Sequence, residues 1–199
     1  MGRSTLPTAP AGDKSGTMRA LVVYESMFGN THRMAEAIAE GLSAAIPTSV
    51  LPVGSADQDA LAAADLLVAG GPTHVHGMSR EATRAEAVRW AGAPESDLTL
   101  EPSASRDGIR EWMESADNLP GLFAAFDTRA DAFKWLTGSA AGQIAKVLRR
   151  RGSKQVVPPG TFLAPDNDAD GTEVDRAREW GRALGEAALA ARGVTASAG

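Results

Sequence analysis

Ser26, Gly29, Asn30 and Thr31 stand within six residues of one another, directly behind the apolar run Ala20-Leu-Val-Val-Tyr24. Two hydroxyls can donate hydrogen bonds to an anion, and the glycine permits positive backbone angles and close approach. Behind them come Met34, Ile38 and Leu42, four apart, with Arg33, Glu36 and Glu40 on the other side. That is the stripe of an amphipathic helix. A strand, a turn carrying hydroxyls and glycine, and a helix together make a phosphate cradle, because the open amides and the dipole of a helix start favour negative charge. The turn holds no Lys and lacks a Gly-Lys-Ser/Thr ending, which disfavours a nucleotidase loop; Gly-x-Gly-x-x-Gly is also absent there. The plainer alternative is a cap, with Asn30 or Thr31 closing a structural helix and binding nothing.

Two further segments carry groups suited to a polar heterocycle: Gly70-Gly-Pro-Thr-His-Val-His-Gly-Met78 and Asp127-Thr-Arg-Ala-Asp131. The chain's three histidines, His32, His74 and His76, fall in or beside these loops. His-x-His can put two imidazoles on one metal, and zinc or iron would accept a third. Against a metal, His32 falls in the first turn of the expected helix and no carboxylate is obviously placed beside it. Ligand-lining or surface roles are the favoured reading, with His74 on the wall of the pocket rather than an exposed loop residue. Asp166, Asp168, Asp170 and Gly171 match the opening of a calcium loop, but its twelfth position is Ala177, so an acidic turn is expected instead. Gly138-Ser-Ala-Ala-Gly142 has its serine in the wrong place for a nucleophile elbow.

The elements that must position these residues alternate. Strands are expected at Arg19 to Glu25, Ser49 to Val53, Asp65 to Gly70, Gly121 to Phe126 and Gln155 to Ala164, the last interrupted by Pro158-Pro-Gly160. Helices are expected at Thr31 to Ala45, Gln58 to Ala63, Glu81 to Ala91, Asp107 to Ser115, Gly138 to Arg150 and Glu173 to Ala191. Repeated strand–helix units imply a parallel sheet covered on both faces, with ligands beyond the carboxyl ends of the strands. Met78 to Leu119 is longer than one crossover needs and reads as an elaborated third connection. Residues 1–17 read as a disordered tail rich in Pro, Gly, Ser and Thr, residues 18–192 as one domain, and 193–199 as a second tail.

The 199 residues can bury a substantial core, and 43% hydrophobic with 23% charged residues is ordinary for a globular chain. A net charge of -5 argues against a nucleic-acid partner. The basic run Lys146 to Arg151 is expected to close a helix, where cations suit the dipole. With no cysteine, disulfides, thiol catalysis and Cys-ligated metal centres are excluded. No run approaches membrane-spanning length and the start lacks the features of a secretory signal, so a cytoplasmic location without a membrane span is expected.

Glu25-Ser-Met-Phe-Gly-Asn-Thr31 resembles the phosphate loop of flavodoxins. Gly71-Pro-Thr-His-Val-His-Gly77 resembles their second loop, commonly Gly-x-Pro-Thr followed by an aromatic and a Gly, and Phe126-Asp-Thr-Arg129 stands where the third belongs. The resemblance spans roughly Met18 to Ala191. It implies an α/β fold, a flavodoxin-like doubly wound five-stranded parallel sheet of order 2-1-3-4-5 with helices on both faces, and FMN as ligand. Cofactor-binding residues carried over are Ser26, Met27, Phe28, Gly29, Asn30 and Thr31 for the phosphate, and Pro72, Thr73, His74, Val75, His76, Gly77, Phe126, Asp127, Thr128 and Arg129 for the isoalloxazine.

Two departures mark this chain. Flavodoxins usually hold the flavin between a Trp and a Tyr, whereas the sole tyrosine, Tyr24, is inside the first strand. Stacking would then fall to His74 or His76, with Trp135 or Trp112 reaching in from connecting segments. Arg129 would put a cation near the flavin edge, stabilise the anionic reduced form and raise the potential, which suits quinone reduction. The resemblance therefore implies an electron carrier or flavin-dependent reductase, fed by a redox partner protein or NAD(P)H. The alternative is a flavin-free binding or regulatory module on the same fold.

Overall fold

The computed structural model describes residues 16–74, 77–102, 104, 107–129, 138–163 and 171–196. Its strands are β1 (Ala20–Tyr24), β2 (Thr48–Pro52), β3 (Leu66–Pro72), β4 (Leu122–Arg129), β5 (Lys154–Gln155) and β6 (Gly160–Leu163). Its helices are α1 (Asn30–Ser43), α2 (Gln58–Ala62), α3 (Glu81–Ala91), α4 (Ile109–Ser115), α5 (Ala140–Arg150) and α6 (Thr172–Ala196). All strand pairs are parallel, in the order β2-β1-β3-β4-β5, with β6 also on β4. The sheet has the order expected from the sequence.

The central strands are apolar on both faces because both faces are covered. Val22, Tyr24, Leu66, Val68, Ala124 and Phe126 pack with Ile38 and Leu42 of α1 and Leu184 and Ala188 of α6. Their neighbours Leu21, Val23, Leu67, Ala69, Phe123 and Ala125 pack with Ile144 and Leu148 of α5 and Ile109 and Met113 of α4. The period of two divides each strand between the two cores. α1 and α6 cross at very short range: a Cβ on Gly41 would lie 1.9 Å from the Arg178 carbonyl oxygen, and one on Gly181 2.1 Å from that of Ile38.

The last strand comes in two pieces. Leu122 and Phe123 pair with Lys154 and Gln155, and Phe126 to Arg129 pair with Gly160 to Leu163. Pro158 and Pro159 lie between, where a missing N–H would break a continuous ladder. β4 also runs three residues past the expected end, to Arg129. Its extension is held on both sides, by Gly71 and Pro72 of β3 and by β6. The expected third loop, Phe126 to Arg129, is therefore the end of a strand.

The long connection 78–119 carries α3 and α4 as expected. Trp112 is buried, and its indole N–H donates to the Ala56 carbonyl at 2.8 Å. Among the other residues of the connection, the Glu101 N–H reaches back to the Met27 carbonyl at 2.9 Å. Met27, Ala87 and Ala104 form a small separate core, with Phe28 and Leu100 against it. The connection thus lies over the β1–α1 turn. Arg151, at the end of the basic run, donates to the carbonyls of Met113 and Ala116, so that cation ties α5 to the end of α4. No helix among the described residues is long and apolar enough to cross a membrane.

Candidate functional site

The turn after β1 leaves the start of α1 without a side-chain cap. Gly29 is the N-cap of α1 with φ 90, the left-handed region that favours glycine, and no side chain caps the helix. The two alternatives read from the sequence are thereby separated: neither Asn30 nor Thr31 closes the helix, and its first amides stay open. The buried Ser26 hydroxyl oxygen accepts from the Gly29 N–H at 3.1 Å, which folds the turn and leaves the hydroxyl proton free to donate. Thr31 Oγ1 and Thr128 Oγ1 are 2.7 Å apart, a contact joining α1 to the end of β4.

The other two segments are locked to each other. Thr73 N–H donates to the Thr128 carbonyl at 2.7 Å, and Thr73 Oγ1 donates to Asp127 Oδ2 at 3.0 Å while accepting from the Ala140 N–H at 3.0 Å. Asp127 is buried, and its Oδ2 also accepts from Ser139 Oγ at 2.7 Å and the Ala141 N–H at 3.0 Å. Ser139 caps α5 through the Gly142 N–H. Asp127 therefore fastens β3, β4 and α5 together, and this side chain is committed to the frame around the site. His74 and Gly77 exchange two backbone hydrogen bonds of 2.9 Å, and Val75 and His76 lie outside the described residues.

These segments meet at a cavity of about 230 Å³ lined by Ser26, Met27, Phe28, Asn30, Thr31, Pro72, Thr73, Thr128 and Arg129, with Trp90 on its outer side. It lies beyond the carboxyl ends of β1, β3 and β4, where open α/β sheets take ligands. Larger clefts, of about 610 Å³ between β6 and α6 and about 590 Å³ at the amino ends of β1 and β2, lie away from this constellation. Arg129 is the cation on the wall, and its Nε is buried without a partner among the described residues.

The structure redistributes the aromatic candidates. Trp112 is in the core and cannot reach the cavity. Trp135 lies outside the described residues, as does the acidic turn 166–170. His74 is half-buried, with its Nε2 buried. His32 stacks on Tyr24, with ring centroids 4.7 Å apart, and its Nδ1 is 3.0 Å from Glu101 Oε1. Among the described residues no group of His, Asp and Glu is arranged to hold a metal ion. Trp90, 56% exposed, is the tryptophan among the described residues that lines the cavity, alongside Phe28. Sequence reading missed it because it sits on a helix of mixed polarity, and only the fold of the connection brings it to the site.

Burial pushes the Tyr24 hydroxyl up to about 12, with the Glu101 and Glu36 carboxylates adding to the rise. Glu101 is also close to the turn itself: a Cβ on Gly29 would be 3.7 Å from its Oε1.

The sequence profile of the flavodoxin family matches residues 22–181, and the chain belongs to that family. It is an FMN-binding, flavodoxin-like protein, and its class is defined by the sheet and the three segments at its carboxyl end. No curated protein matches the chain. Solved structures share the fold. An archaeal flavodoxin is 21% identical with a TM-score of 0.59, covering 86% of this chain and 99% of its own. An oxidised flavodoxin 2 from Bacillus cereus is 20% identical with a TM-score of 0.57, covering 84% and 98%. A flavodiiron core from Synechocystis is 16% identical with a TM-score of 0.59; 89% of this chain corresponds to 38% of that one.

Proposed function

We infer that the protein is a carrier of electrons whose FMN lies in the cavity between the β1–α1 turn and Arg129. The observation that carries this reading is a single cavity lined by the uncapped start of α1 on one side and by Arg129 on the other. Ser26, Gly29, Asn30 and Thr31 would hold the phosphate, through hydroxyls and the first amides of α1. Met27 and Phe28 would wall that end, and Pro72, Thr73, Thr128 and Arg129 would address the ring system. His74, Gly77, Phe126 and Asp127 would act from behind the wall, by shaping the second loop and the end of β4. Trp90 offers the ring face that this chain's tyrosine, committed to His32, does not. FMN supplies the redox chemistry when bound; the protein supplies binding, orientation and electrostatics.

A redox partner protein or NAD(P)H would deliver the electrons, and a quinone is a suitable acceptor because Arg129 favours the anionic reduced flavin. Replacing Arg129 with Ala is expected to lower the midpoint potential, read by spectroelectrochemical titration; an unchanged potential would remove the basis for that tuning. The first test of the whole reading is the visible spectrum of the protein after incubation with FMN and desalting. Retained flavin bands are expected. A colourless protein would leave the flavin-free module instead. Steady NAD(P)H oxidation with a quinone by the loaded protein alone separates a reductase from a carrier, which needs an added reductase.

A further inference from the structure

Two buried hydroxyls from distant parts of the chain meet in the wall of the cavity. Thr31, the second residue of α1, is 2% exposed, and Thr128, near the end of β4, is 3% exposed. Their Oγ1 atoms are 2.7 Å apart, the ordinary length of a hydrogen bond between hydroxyls. Both residues line the cavity, Thr31 from the turn after β1 and Thr128 from the strand that carries Arg129.

The two are not held alike. Thr128 stands opposite Pro72 of β3 and Phe162 of β6, and its carbonyl accepts from the Thr73 N–H at 2.7 Å. A β-branched side chain on a strand paired along both edges has little rotamer freedom. Thr31 lies in the first turn of a helix, where a threonine divides between two rotamers, and the contact with Thr128 selects one of them. Thr73, the remaining threonine of the wall, is committed elsewhere, to Asp127 Oδ2 and the Ala140 N–H.

Proton counting sets what each hydroxyl can do. Each carries one proton and two lone pairs, and their mutual bond uses one proton. If Thr31 donates to Thr128, it keeps no proton for an anion at the start of α1. If Thr128 donates, the Thr31 proton is released for that anion. A phosphate at the open amides of the helix start only accepts, so it favours the second order. A hydroxyl that accepts one hydrogen bond is also the better donor of the next.

We propose that Thr128 is a positioning residue for the phosphate: its hydroxyl donates to Thr31 Oγ1 and commits the Thr31 proton to the phosphate, so that the site selects a phosphorylated flavin over the same flavin without phosphate. This rests on the FMN reading above and extends it, because the strand on the ring side then acts on the phosphate end of the ligand. Thr128 reaches the phosphate only through Thr31.

The test measures Kd for FMN and for riboflavin, which lacks the phosphate, on the flavin-free full-length chain by calorimetric titration. Thr128→Val keeps the branching and removes the proton; it is expected to weaken FMN about tenfold more than riboflavin. Thr128→Ser is expected to restore most of that preference. Thr31→Val is expected to lose at least as much, and Thr128→Val added to it to cost nothing further, because one acts through the other. Equal weakening of the two flavins by Thr128→Val overturns the proposal, as does a second loss of about tenfold in the double variant. Where riboflavin binds too weakly to titrate, the cycle on FMN alone decides. If Thr128→Val does not fold, Thr128→Ala carried through the same titrations decides. A wild-type chain that binds neither flavin refutes the FMN reading and this proposal with it, whereas a wild type that binds FMN and variants that keep its preference refute this proposal alone.

Discussion

Trp90 presents 56% of its surface to water beside a cavity, whereas Trp112, from the same connection, is buried and hydrogen-bonded. Truncating an exposed side chain costs a fold little, so Trp90→Ala should leave the urea midpoint almost unmoved, within about 0.5 kcal/mol. Ring stacking contributes about 0.5–1.5 kcal/mol beyond the area buried, so the same variant should bind FMN up to about tenfold more weakly by calorimetric titration. An unaltered Kd would remove Trp90 from the site. Tyr24 allows a second measurement, because a sole tyrosine gives an unambiguous tyrosinate absorbance. The native chain should develop it only near pH 12, since burial first and the Glu101 and Glu36 carboxylates second disfavour the phenolate. Glu101→Gln should bring the midpoint part of the way down, whereas an unfolded chain titrates near 10. A native midpoint near 10 would contradict this environment.

At the scale of elements, the connection 78–119 is a cover fastened at identifiable points. Arg84 fixes α3 to Ser79 and to Glu111 of α4, and the Glu101 N–H fixes the following loop to Met27. Removing one partner of a largely buried ion pair leaves the other uncompensated, so Arg84→Ala should cost about 3 kcal/mol in urea unfolding. It should also open residues 92–108 to limited proteolysis before the sheet unfolds. An unchanged midpoint and an unchanged cleavage pattern would show that the cover is held elsewhere. The strands and the β1–α1 turn were legible in the sequence because periodicity and glycine placement are local signals. β4 outran its expected end because Thr128 and Arg129 owe their strand conformation to β6, some thirty residues later. Trp90 and Glu101 left no local signal, since each takes its role from a partner far along the chain. Phe126 to Arg129 were read as a loop for the same reason, and the roles given to His74 and Trp112 depended on side-chain directions that spacing does not encode.

Across the whole molecule, two shifts couple stability to pH in the same sense. His74 has a folded-state pKa below its usual 6.5, chiefly through burial. Burial pushes Glu111 upward, but backbone hydrogen bonds and the Arg84 guanidinium outweigh it and hold the carboxyl below its usual 4.5. In both cases the unfolded chain binds the proton more readily, so stability rises with pH across each window. The His74 contribution is fully present above pH 6.5, declines as the unfolded imidazole takes up its proton, and is lost as pH falls through the lower folded value. That of Glu111 is present above 4.5 and is lost at still lower pH. The flavin-free protein should therefore lose stability in two stages on acidification, the first with a slope of at most about 1.4 kcal/mol per pH unit for one proton. His74→Gln should flatten the first stage and leave the second, because glutamine does not titrate and Glu111 keeps its partners. Urea midpoints measured at intervals from pH 8 to pH 4 on both proteins read this directly. A wild-type midpoint that stays level between pH 7 and pH 5 would mean that the buried imidazole is already as easily protonated in the fold as in water.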